Sequence, residues 1–118
     1  MNITIKSDER SFFNQILELF SSFNPIKKLR KGERIVLAEI MYQNYILRDI
    51  DSSIRRNTVF SKETRELMCN NLKLPRSGFN NVTASLRRNG ILDKDNNLIQ
   101  PLHIFPEDTF TFKVEFQL

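Results

Sequence analysis

The sequence predicts an α+β domain that is mainly helical, and three observations predict it. Apolar residues recur at helical spacing in several separate stretches. Both ends of the chain alternate apolar and polar residues, as half-buried strands do. A five-residue polar turn separates two short apolar pairs near residue 95, the pattern of a small hairpin. The chain has 118 residues, which suits a single domain with one core. Its 40% hydrophobic and 27% charged residues are enough to fold that core.

Taken in order, residues 2–6 alternate Ile3 and Ile5 with polar neighbours and read as a strand. Ser7 is placed to cap a helix whose first turn holds Asp8 and Glu9, where the helix dipole favours acids. Phe12, Phe13, Ile16, Leu17, Phe20 and Phe23 then keep helical spacing over about fifteen residues, up to Pro25. Such an aromatic stripe reads as core. Residues 27–34 form a basic connector containing Gly32, one of only three glycines, each expected to mark punctuation. Ile35, Val36, Leu37, Ile40, Met41, Ile46 and Leu47 cover more than half of a second helix, the pattern of a central buried element.

Residues 48–57 are polar and read as an exposed loop, with a turn of helix capped by Asp51. Thr58, Val59 and Phe60 read as a short strand. Ser61 caps a third helix carrying Leu67, Met68 and Leu72. Pro75 opens a fourth, with Phe79, Val82 and Leu86 on one face, and Asn89-Gly90 closes it. Ile91-Leu92, the turn 93–97 and Leu98-Ile99 read as a hairpin. Finally, residues 109–118 alternate Phe110, Phe112, Val114, Phe116 and Leu118 with polar residues, a half-buried strand. Its apolar face is covered either by the first helix and the 2–6 strand or by a second copy across a two-fold axis.

Charge is distributed unevenly. Residues 26–88 hold fourteen Lys/Arg against six Asp/Glu, whereas both flanks are net negative, giving +4 overall. The middle of the chain is therefore the part suited to a polyanion. Several chemistries find no support. One cysteine and one histidine exclude a four-ligand His/Cys zinc site, and Cys69, a lone cysteine, fits a reducing cytoplasm. Cys69 reads as a core residue, His103 has only apolar neighbours, and Glu107 and Asp108 read as solvated. No phosphate-binding glycine loop or HExxH motif occurs. The reading is a non-enzyme with no cofactor, no metal, no small-molecule ligand, no leader and no membrane span.

Leu72 and Leu74 entering the turn before Pro75, Val82 and Leu86 in the next helix, and the exit Asn89-Gly90-Ile91-Leu92 together resemble the winged helix-turn-helix family. The resemblance covers about residues 33–102. It leaves residues 2–23 and 109–118 as an appended layer of a single domain spanning 1–118. It implies that residues 77–89 are a recognition helix for double-stranded DNA. The residues facing away from Phe79, Val82 and Leu86 suit that role: Ser77, Asn80, Asn81, Ala84, Arg87 and Arg88. Asn can bond adenine through two contacts, Arg can bond guanine or phosphate, and small residues allow close approach. Residues 67–90 carry Lys73, Arg76, Arg87 and Arg88 and no acid. Lys27, Lys28, Arg30, Lys31, Arg55 and Arg56 are expected as secondary basic contacts. Two features depart from the family. Pro75 occupies the usual capping position, leaving Ser77 as the cap, and the wing Asp93-Lys94-Asp95-Asn96-Asn97 is net negative, unsuited to a minor groove.

The function expected from this is a cytoplasmic DNA-binding homodimer. It would act as a transcriptional regulator or a replication or packaging accessory factor of a bacterium, phage or mobile element. The alternative is a protein-interaction module or virion structural subunit that reuses the scaffold without reading DNA.

Overall fold

The aromatic stripe near the N-terminus folds as helix α1 (Glu9–Leu19), followed by 3₁₀ turns at Phe20–Ser22 and Ile26–Lys28. The computed structural model describes residues 2–3, 9–99, 102 and 112–113, with side chains from residue 11 to 99 and at Leu102. Phe12, Phe13, Ile16 and Leu17 of α1 are all buried. Phe13 meets Phe12 edge-on at 5.3 Å between ring centroids and leans on Tyr45 at 5.8 Å, contacts that add to area burial.

Tyr45 belongs to α2 (Lys31–Ile46), which contacts each of the other four α-helices. Residues Val36 to Met41 are buried on every side, so α2 is the central helix. It begins four residues earlier than the apolar pattern alone places it. Gly32 therefore lies in its first turn and punctuates nothing. The Arg30 amide donates to Glu33 Oε1 at 2.9 Å, half of a capping box that starts the helix inside the basic stretch. The apolar girdle is also narrower than expected, because Ile35 and Ile46 are exposed.

Residues 48–60 correct the sequence reading. Instead of a loop followed by a strand they hold helix α3 (Ser52–Val59). Asp51 caps it, accepting from the Ser53 amide at 2.9 Å and the Ser53 hydroxyl at 2.8 Å. Thr58 Oγ1 turns back onto the Ile54 carbonyl at 2.9 Å, so a β-branched residue that suggested a strand satisfies itself inside a helix. Next come α4 (Lys62–Leu72), capped by Ser61 through the Thr64 amide, and α5 (Arg76–Arg88). Met68 is the buried anchor of α4, Cys69 is half-buried, and Leu67 faces solvent.

The fold is thus mostly helical, with five α-helices among the described residues, and the α+β class expected from the sequence is overturned. The expected wing hairpin is reduced to a single bridge, Leu92 opposite Leu98, around a turn. Ile91, Leu92 and Leu98 are buried, and this segment closes the core by side-chain burial rather than by a strand ladder. Among the described residues, Asn2–Ile3 pairs antiparallel with Phe112–Lys113, two residues a side. The remainder of 2–6 and 109–118, together with Ser7, His103, Glu107 and Asp108, lies outside the described residues.

Candidate nucleic-acid interface

Helices α4 and α5 are joined by a tight turn whose geometry is set at Lys73. That residue sits at φ 54°, ψ 45°, in the left-handed region, and the Leu74 amide reaches back to the Cys69 carbonyl at 2.9 Å to end α4. Pro75 is the residue before the first turn of α5 and provides no side-chain cap; its missing N–H costs nothing there. Gly78 lies inside α5 because a Cβ would come within 3.1 Å of Leu74 Cδ1; it permits close turn packing rather than punctuation. At the far end Gly90 takes φ 73°, and the Ile91 amide donates to the Leu86 carbonyl at 2.9 Å.

The buried face of α5 is Phe79, Thr83 and Leu86, with Val82 half-buried beside them. Thr83 is tolerated there because its hydroxyl donates to the Asn80 carbonyl at 2.9 Å. The opposite face presents Ser77, Asn80, Asn81, Arg87 and Arg88 exposed and Ala84 half-buried, so the six predicted residues do share a ridge.

Two clefts flank the ridge. One, of about 430 Å³, lies against the start of α2 and brings Lys28 and Arg30 beside Asn81 and Arg88. The other, of about 330 Å³, lies against α4 and brings Arg65 beside Asn80, Arg87 and Asn96. A third, of about 310 Å³, places Arg55 and Arg56 with Asn96 and Asn97, so Asn96 joins it to the second. Lys27 and Lys31 are exposed but line none of the three clefts. Lys73 is exposed on the turn. Arg76 is engaged elsewhere, its guanidinium 3.4 Å from Glu66 on α4; both side chains are more than half exposed, so the pair is weak.

Two acids enter the picture that the linear charge count does not show. Glu33 sits in the first cleft, accepting from the Ser85 hydroxyl and the Arg30 amide. The Ser85 bond first, then the Arg30 amide, hold its carboxyl below its ordinary value, with Arg30 and Arg88 adding attraction. The acid-free run from 67 to 90 is therefore acid-free in sequence only. Asp93, expected to repel phosphate at the wing, spends its carboxylate on the turn itself. It accepts from the Asn97 amide at 3.0 Å, the Asp95 amide at 2.8 Å and the Asn97 side chain at 3.2 Å. These bonds, that of the Asn97 amide foremost, lower its pKa. Arg87 Nη1 donates to Asn96 Oδ1 at 2.7 Å, tying the ridge to the turn.

The sequence reading missed Arg65, Asn96, Glu33 and Ser85. Arg65 stands between Glu63 and Glu66 and looks like part of a mixed-charge solvated face; its one signal is the i, i+3 spacing to Met68, which turns it inward. Among the described residues no group of three His, Cys, Asp or Glu side chains is placed to hold a metal. None of the helices they form is long and apolar enough to cross a membrane. No protein-family model, no curated protein and no solved structure matches this chain.

Proposed function

We propose that the chain binds double-stranded DNA by laying α5 in the major groove, with the α4–turn–α5 pair acting as a helix-turn-helix. The observation that carries this reading is the α5 ridge: asparagine, arginine and small residues on one exposed face, no acid among them, opposite a fully buried Phe79 and Leu86. At 13 residues the helix is about 20 Å long, and an α-helix fits a major groove about 12 Å wide. In this docking Asn80 and Asn81, one turn into the helix, read base edges, and Arg87, Arg88, Lys28 and Arg30 hold phosphates. The role proposed with it is that of a cytoplasmic regulator or a replication or packaging accessory factor, with a second copy presenting a second ridge about one helical turn of DNA away.

The test is to titrate a random-sequence duplex into the ¹⁵N-labelled chain and map the amide shifts. Shifts concentrated in residues 76–88 and 28–30 are expected. A titration that perturbs α1 or the exposed side of α3 while leaving α5 unmoved would reject this docking and favour a protein-interaction module.

A further inference from the structure

We infer that the cleft between α4, α5 and the 93–97 turn is a phosphate site, and that its occupant is a backbone phosphate of the duplex that α5 reads. The inference rests on the DNA-binding reading and extends it to Arg65, which no motif in the sequence marks.

Arg65 projects from α4 into this cleft, and its Nε is buried without a hydrogen-bond partner among the described residues. Buried polar groups are nearly always satisfied, and one that belongs to a permanent cation is costly to leave alone. A ligand in the cleft meets that buried Nε only after the side chain turns outward, and an oxyanion there supplies the acceptor that draws it out. The other lining groups fit the same ligand. Arg87 gives one N–H to Asn96 and keeps its remaining donors, and that bond fixes the guanidinium at the cleft edge. The Asn80 and Asn96 carboxamides add neutral donors. No carboxylate lines this cleft, whereas Glu33 lines the one on the other side of α5. Two guanidiniums with no acid between them form a fork suited to phosphate. The cleft runs along the Asn80–Arg87 edge of the recognition ridge, where a strand bordering the major groove passes. That position points to a phosphodiester rather than free phosphate.

The experiment compares the wild-type chain, Arg65→Gln and Arg65→Lys for binding to a random-sequence duplex across about 50 to 200 mM salt. A lost phosphate contact lowers the log–log salt slope by about 0.9, so the wild-type advantage over Arg65→Gln should shrink roughly threefold across that range. Arg65→Lys, which keeps the charge, should retain the slope. A duplex with single neutral methylphosphonates, scanned along one strand against wild-type protein, tests the same contact without altering the fold. One position should reproduce the Arg65→Gln loss.

Inorganic phosphate titrated against the Arg65 Nε–Hε resonance separates the sources. If the duplex binds and Arg65→Gln leaves both affinity and slope unchanged, the inference fails while the α5 reading stands. If no duplex binds but inorganic phosphate shifts that resonance, the DNA reading fails and the cleft is a free-phosphate site. If neither ligand has an effect, both fall.

Discussion

Single residues decide what the ridge can do, and several of them do more than their type suggests. Lys73 is the clearest case, since it is one of the cations of the proposed contact and also holds φ 54° at the end of α4. An L-residue in that conformation costs about 1–2 kcal/mol, and glycine removes the cost at the expense of unfolded-chain entropy. Lys73→Gly is therefore expected to leave thermal stability unchanged or raised by up to about 1 kcal/mol, while weakening duplex binding and flattening its salt slope. Calorimetry and anisotropy on the same sample check this; a destabilised variant would mean that Lys73 makes a contact the turn depends on. Residue type alone misleads at Asp93. Its charge suggests repulsion of phosphate, yet three donors of the turn hold its carboxylate. At Arg65 the misleading feature is the flanking acids, which hide an inward-facing guanidinium.

Elements were legible wherever packing follows periodicity. The stripes Phe12–Phe13–Ile16–Leu17, Val36–Leu37–Ile40–Met41 and Phe79–Leu86 all point inward, although α1 stops at Leu19, short of the exposed Phe23, and α2 starts four residues before Ile35, where its apolar pattern begins. Helix α3 was legible only as the turn capped by Asp51, because only Val59 of its eight residues is buried and the rest of its stability comes from packing on α2 and α4. The hairpin was half legible: the burial of Ile91, Leu92 and Leu98 follows from their apolarity, but among the described residues its backbone forms a single bridge and no strand. Contacts between elements distant in sequence left no local trace. The Ser85–Glu33 bond, which staples α5 to α2, is the one with a pH consequence. Glu33, Asp51 and Asp93 all have lowered pKa values, from ordinary values of 4.5, 3.8 and 3.8. The unfolded chain therefore binds more protons near these values, so stability rises with pH there. The stabilisation is fully present above about 4.5 and is lost as pH falls through the lowered values. Glu33→Gln should flatten this acid dependence in thermal melts and, by removing an acid from the groove, tighten duplex binding. An unchanged acid limb would show that the α2–α5 staple contributes nothing.

At the scale of the whole molecule, α2 is the scaffold on which the other helices pack, and α5 uses it to hold one face buried and the other bare. Basic residues far apart in sequence, Lys28 and Arg30 before α2 and Arg65 in α4, converge on the two sides of α5. The charge asymmetry of the chain marks its middle as the part suited to a polyanion; it does not tell which cations meet, because that depends on how the helices cross. The central claim, that α5 and its flanks make the DNA contact, is tested most directly by the salt dependence of duplex binding in Arg87→Ala/Arg88→Ala against Lys94→Ala. The account predicts that the double variant loses affinity and about 0.9 of log–log slope for each phosphate contact removed, while Lys94→Ala changes neither measurably. A larger loss from Lys94→Ala than from the two arginines together would contradict it.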